Sequence, residues 1–158
     1  MNFVLHSSDL FSAVLVVSMV SIMDNNKDEK ALDFYIIEHD ISEEHKQMIR
    51  ELEKKYHNAT VHFIPMPNIN EKFGLGLKQI KSIWLFDSYC RLFLGTLLPE
   101  SVDRVLYLDC DTLCTGSLHD FYNLDFEGNY AAGVMDCLSD AYYELFEMNM
   151  ESRYCNSG

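Results

Sequence analysis

Apolar residues along this chain fall into short runs separated by polar stretches, and the period of the runs changes from strand-like to helix-like and back. Asn2 to Leu5 reads as a first strand. The long apolar segment from Leu10 to Met23 then reads as a buried helix, ended by Asp24-Asn25-Asn26-Lys27-Asp28. Leu32 to Ile37 (LDFYII), rich in aromatic and β-branched residues between polar flanks, predicts a core strand. Ser42 can cap a helix that sets Met48, Ile49, Leu52 and Tyr56 on one face, with Glu43 and Glu44 in the first turn, where the helix dipole favours carboxylates. Val61 to Ile64 gives a third strand, and Pro65 and Pro67 lead into a loop through Gly74 and Gly76. From Ile80 to Leu94 the apolar spacing is helical, with Arg91 set among apolar neighbours. Val105 to Leu108 forms a fourth strand that runs into Asp109-Cys110-Asp111, and Tyr130 to Met135 a fifth, followed by Asp136 and a helix from Asp140 to Met148. Strands alternating with helices predict an α/β fold, a largely parallel sheet covered on both faces, with residues 1–158 as a single domain.

Charge narrows the partners. Asp and Glu number 25 against 12 Lys and Arg, a formal net charge of −13 with no basic cluster, which argues against nucleic acid. An acidic surface can still take a diphosphate when a divalent cation lies between the two anions. The cysteines Cys90, Cys110, Cys114, Cys137 and Cys155 show neither C-x-x-C pairing nor zinc-site spacing, as expected of reduced thiols in a cytoplasmic protein. Leu10 to Ile22 follows Asp9 rather than a positive segment and is too short to span a bilayer, so neither a signal peptide nor a transmembrane segment is expected. Asn58-Ala59-Thr60 matches a glycosylation sequon and is read as chance.

The chemistry centres on Asp109 and Asp111. In open α/β sheets ligands bind beyond the carboxyl ends of strands, and both aspartates lie at such an end. If the chain stays extended there, alternation sends both carboxylates to one side, where they offer hard oxygen ligands to Mn²⁺ or Mg²⁺. Such a metal can bridge to a diphosphate and neutralise its charge as it leaves.

Val105 to Asp136, VLYLDCDTLCTGSLHDFYNLDFEGNYAAGVMD, resembles the central segment of glycosyltransferase family 8, which includes glycogenin and bacterial lipopolysaccharide galactosyl- and glucosyltransferases. Ser88-Tyr89-Cys90-Arg91-Leu92 resembles that family's Y-x-R-L helix, Ile41-Ser42-Glu43-Glu44 the start of its second helix, and Tyr154-Cys155-Asn156-Ser157-Gly158 its F-N-[AS]-G stretch. The resemblance implies a GT-A-like (Rossmann-like) fold and a retaining, metal-dependent hexosyltransferase that moves glucose or galactose from a UDP-sugar to a saccharide or glycolipid acceptor. It implies that Asp109 and Asp111 hold manganese (or magnesium) against the donor diphosphate and that Arg91 reaches the donor. It also places Phe11 on the uracil, Asn156 near the donor sugar and Asp136 near the acceptor, with Cys110 contributing its backbone. Envelope polysaccharide synthesis, and a peripheral membrane association of the full-length protein, are further implications of the family.

Two departures bear on this reading. The family commonly carries Asp-Asp-Asn-Tyr after its first strand, where this chain has Ser8-Asp9-Leu10-Phe11, so a carboxylate and an amide that could bind base or ribose are replaced. The chain also stops at Gly158, where family members continue into a part that supplies a third metal ligand, a histidine, and much of the acceptor site. The expectation is therefore a C-terminally incomplete domain that binds nucleotide-sugar and has weak or no transferase activity. Two other readings share the D-x-D: a haloacid-dehalogenase-type phosphatase, which would need threonine or valine at Leu113, and a calcium-binding EF-hand loop, which would need a glycine at Cys114.

Overall fold

A computed structural model describes residues 1–66 and 89–134. Among the described residues its frame is a four-stranded parallel sheet of β1 (Asn2–Ser8), β2 (Leu32–His39), β3 (Ala59–Pro65) and β4 (Leu106–Asp109), in the order β3-β2-β1-β4. The first four predicted strands are present, and the first three run further than their apolar cores. β1 keeps its ladder with β2 through Ser7↔Glu38 and Ser8↔His39, because backbone pairing rather than hydrophobicity carries the ends.

The chain crosses from β1 to β2 through α1 (Ser12–Asn25) and from β2 to β3 through α2 (Glu43–Lys55). Both helices lie against one face of the sheet, where Leu15, Met19, Ile22, Met23 and Ile49 pack on Phe3, Leu5, Phe34 and Ile36. Phe3 and Phe34, partners in the β1–β2 register, stack with centroids 5.0 Å apart. The opposite face carries Val4, Tyr35 and Ile37, covered by Cys90, Leu94 and Leu97. Those last residues come from a 3-10 turn (Tyr89–Phe93) and the short helix α3 (Leu94–Leu97), so the sheet is covered on both faces as expected of an α/β fold. Fully burying one such aliphatic or aromatic side chain contributes roughly 1.5–3 kcal/mol.

Three local expectations change. Met48 does not join the buried face of α2: it is exposed, while Ile49 and Tyr56 are buried. The apolar stretch around Arg91 is a 3-10 turn followed by one helical turn, and its Ile80 to Ser88 part lies outside the described residues. The fifth strand fails over residues 130–134, which form no ladder among the described residues. Tyr130 and Val134 face solvent, and the intervening Ala131-Ala132-Gly133 has little to pack. Residues 124–158 cluster as a compact unit apart from Met1–Asn123. In its described part a turn closes from Phe126 to Asn129 (N–H···O 2.8 Å), with Glu127 at φ 51° and Gly128 at φ 82°. The loop through Gly74 and Gly76 and the helix at Asp140 to Met148 lie outside the described residues.

Candidate functional site

The strand order contains a reversal. From β1 the chain runs outward to β2 and β3, then returns to lay β4 on the other side of β1. The carboxyl ends of β1 and β4 therefore lie side by side at the reversal, and it is in the crevice beyond the strand ends at such a point that open α/β sheets bind ligands. Ser8 and Asp9 stand at one lip of that crevice and Asp109 at the other.

Alternation divides β4. Leu106, Leu108 and Cys110 turn toward the α1/α2 side, whereas Tyr107 packs on the opposite face. Asp109 shares that second face with Arg91, whose Nη2 lies 3.7 Å from Asp109 Oδ1. The Arg91 guanidinium also stacks over the Tyr107 ring, 4.7 Å from its centroid. Burial, reinforced by Cys90, pushes the Tyr107 phenol far above its ordinary 10.0, so the ring is a neutral platform for the cation. Arg91 is thus neither fully buried nor placed at random: its side chain is 21% exposed and aims at the first aspartate of the D-x-D.

After Asp109 the chain does not stay extended. The Asp109 carbonyl accepts from Thr112 N (3.2 Å) and Thr112 Oγ1 (2.8 Å), closing a turn over Cys110 and Asp111. Strand alternation therefore does not relate the two carboxylates. Asp111 is exposed on the turn, while Asp109 remains half-buried at the strand end. Burial raises the Cys110 thiol above its ordinary 9.0, and the charges of Asp111 and Asp109 add to that shift, so the side chain stays a neutral thiol and offers no soft thiolate. Among the described residues no three His, Cys, Asp or Glu side chains gather for a metal.

The turn is held from below by α1. Cys114 N donates to Ser21 Oγ (2.9 Å), Asn25 Nδ2 donates to the Cys114 carbonyl (3.0 Å), and Leu118 N donates to Asn26 Oδ1 (2.7 Å). Asn26 is itself buried and donates to the Ile22 carbonyl at 2.8 Å, so the segment Asp24 to Asp28, which ends the helix in the sequence, also anchors the chain after the D-x-D.

At the other lip, Ser8 precedes a 3-10 turn (Asp9–Phe11) and its carbonyl accepts from Ser12 Oγ at 3.4 Å. Asp9 turns its carboxylate toward α2, where Oδ1 accepts from Ser42 N (2.8 Å) and His45 Nδ1 (2.7 Å). Phe11 is half-buried and Leu10 is 82% exposed. His6, which the motif passes over, is the β1 partner of Asp109 in the register and so belongs to the same strand ends. Asp136 and Asn156 lie outside the described residues. His6 and His45 had no signal in any motif: one is found by strand register, the other by the partner of a capping serine. The sequon asparagine Asn58 uses its amide internally, donating to the Glu29 carbonyl at 2.9 Å.

Comparison with known proteins decides the family. The model of glycosyl transferase family 8 matches residues 2–158. The chain belongs to glycosyltransferase family 8. It is 34% identical to a lipopolysaccharide 1,2-glucosyltransferase of Escherichia coli (strain K12), over 90% of this chain and 41% of that protein. It is 29% identical to a lipopolysaccharide 1,3-galactosyltransferase of Salmonella typhimurium, over 75% of this chain and 34% of that protein. A crystal structure of the galactosyltransferase LgtC with donor and acceptor sugar analogs superposes with a TM-score of 0.77 at 26% identity, covering 100% of this chain and 56% of that one. The fold of this family 8 chain is accordingly of the GT-A type, and the chain spans less than half the length of either of those two lipopolysaccharide transferases. No helix among the described residues is long and apolar enough to cross a membrane.

Proposed function

We propose that this chain forms the donor-binding part of a hexosyltransferase, taking UDP-glucose or UDP-galactose with a divalent cation, manganese or magnesium, and passing the hexose with retention to a saccharide or glycolipid acceptor. The observation that carries the reading is Asp109 at the strand reversal with Arg91 against it, 3.7 Å away. The similar proteins whose names specify glucosyl and galactosyl transfer to lipopolysaccharide support the choice of hexose and acceptor.

The donor set suits such a cation. Magnesium-like ions take oxygen ligands, and one or two carboxylates completed by substrate phosphates is a usual arrangement. Asp109 and Asp111 would provide those carboxylates, and the neutral Cys110 thiol between them does not compete. A bound ion there would offset negative charge on the departing diphosphate. The chain's own contribution is positional. Arg91, held over the Tyr107 ring, brings a delocalised cation and a fork of N–H donors to the same crevice, which suits a phosphate or a sugar hydroxyl. Phe11 offers an aromatic surface at the β1 lip for the base, and Asp136 and Asn156 are proposed beside the acceptor and the donor sugar.

Calorimetric titration of the chain with UDP in the presence of manganese tests this. Asp109→Ala and Asp111→Ala should each weaken binding by about 100-fold or more, as the loss of a charged ligand implies. Wild-type affinity in both variants would overturn the reading.

A further inference from the structure

Asp9 sits in the loop at the β1 lip, yet its carboxylate is committed elsewhere. Oδ1 accepts two hydrogen bonds from the start of α2, from Ser42 N at 2.8 Å and His45 Nδ1 at 2.7 Å. Because a carboxylate only accepts, His45 must carry its proton on Nδ1, which fixes the role of that nitrogen as donor. The far end of this latch is a fixed body. Glu38, at the carboxyl end of β2, accepts from Ile41 N through Oε2 (3.0 Å) and pairs with Lys46 Nζ through Oε1 (2.9 Å), and both side chains are largely buried. Ser42 adds the helix cap, its Oγ accepting from His45 N at 3.4 Å. The near end is the 3-10 turn that begins at Asp9 and presents Phe11.

We infer that His45 is a positioning residue for the donor site, acting through Asp9 to hold the Ser8–Phe11 loop in its binding shape. The inference rests on the donor reading above and refines it: Asp9 serves as the latch rather than as a nucleotide contact. Without the His45 bond the loop is tied less firmly to α2, through the Ser42 amide and hydroxyl, and a nucleotide must then order the loop more as it binds.

The test is titration of the full chain with UDP and manganese chloride, with thermal unfolding recorded in parallel, for His45→Ala, His45→Asn and His45→Gln. His45→Ala should weaken UDP by about fivefold, the scale of one hydrogen bond. In His45→Asn a short amide N–H can replace Nδ1–H, so affinity should return to within about twofold of wild type. The longer amide of His45→Gln overshoots Asp9 and should behave as His45→Ala, which keeps the comparison available if the alanine variant does not fold. A wild-type chain that binds no UDP overturns both the donor reading and the latch. Wild-type UDP affinity in folded His45→Ala or His45→Gln overturns the latch alone, as does a fall in melting temperature unaccompanied by any change in affinity. Failure of His45→Asn to recover affinity over His45→Gln also overturns it.

Discussion

The loops that leave β1 and β4 face the same crevice but are held by different chemistry. The turn after β4 is tied to α1 by neutral groups, by Ser21 and Asn26 in partly buried bonds and by Asn25 in an exposed one. The loop after β1 is tied to α2 by an exposed carboxylate, Asp9, with a histidine and a helix amide. Buried amide bonds are costly to leave unmade and insensitive to pH and salt, whereas an exposed charged latch contributes little to stability and responds to both. The lip carrying the candidate metal ligands is thus built rigidly, and the lip proposed to meet the base is adjustable.

That contrast breaks most visibly at Asn26. Replacing it with alanine leaves Leu118 N and the Ile22 carbonyl without their partner in a site only 3% exposed. Asn26→Ala should destabilise the chain by about 2–3 kcal/mol, measured by urea unfolding. A loss under about 0.5 kcal/mol, the range of a neutral surface change, would show that the β4 lip is not anchored there. Ser21→Ala removes one acceptor for Cys114 N and should cost about 1 kcal/mol in the same measurement.

The β1 lip should respond to acid instead. Hydrogen bonds from the Ser42 amide, the Ser42 hydroxyl and His45 hold the Asp9 carboxyl below its ordinary 3.8. A carboxyl lowered in the folded state binds fewer protons there than in the unfolded chain, so its contribution is present above the unfolded value and fades as pH falls through the folded one. Lys46 lies on the same first turn of α2 but is paired with Glu38 and Glu43. Asp9→Asn keeps an acceptor oxygen and loses the titration. Its stability relative to wild type should be lower near neutrality, and the gap should begin to narrow as pH falls below the unfolded value of about 4 and close only once pH has passed below the lowered folded value. A gap independent of pH would remove the charged latch from the comparison.

Much of this arrangement was legible in the sequence where burial sets the pattern. LDFYII could only be a core strand, and Asp109 fell at a strand end because VLYL before it needs a sheet. What periodicity does not encode is where polar partners meet. The turn from Asp109 to Thr112 is set by a hydroxyl and an amide converging on one carbonyl, so the extended course assumed for Asp111 fails. Tyr130 to Met135 carries strand-forming residues at its ends only, and no neighbour among the described residues pairs with its first part. Asp9 and His45 lie 36 positions apart, and nothing short of the fold brings them together.

The smallest stability effect, and the sharpest probe of the adjustable lip, belongs to Leu10. It is 82% exposed on the loop between Asp9 and Phe11, where the resemblance places an asparagine, so its side chain buries almost nothing. Leu10→Asn should therefore change stability by no more than about 0.5 kcal/mol, with the expected sign set only by the removal of an exposed apolar group. Its effect on ligand is a separate matter. If the β1 lip meets the base or ribose, the new amide supplies both a donor and an acceptor there, and UDP affinity with manganese should rise by about two- to fivefold. Equal UDP affinity in Leu10→Asn and wild type would mean that the β1 lip shapes the crevice without reading the nucleotide, leaving recognition to Asp109, Asp111 and Arg91 on the rigid side.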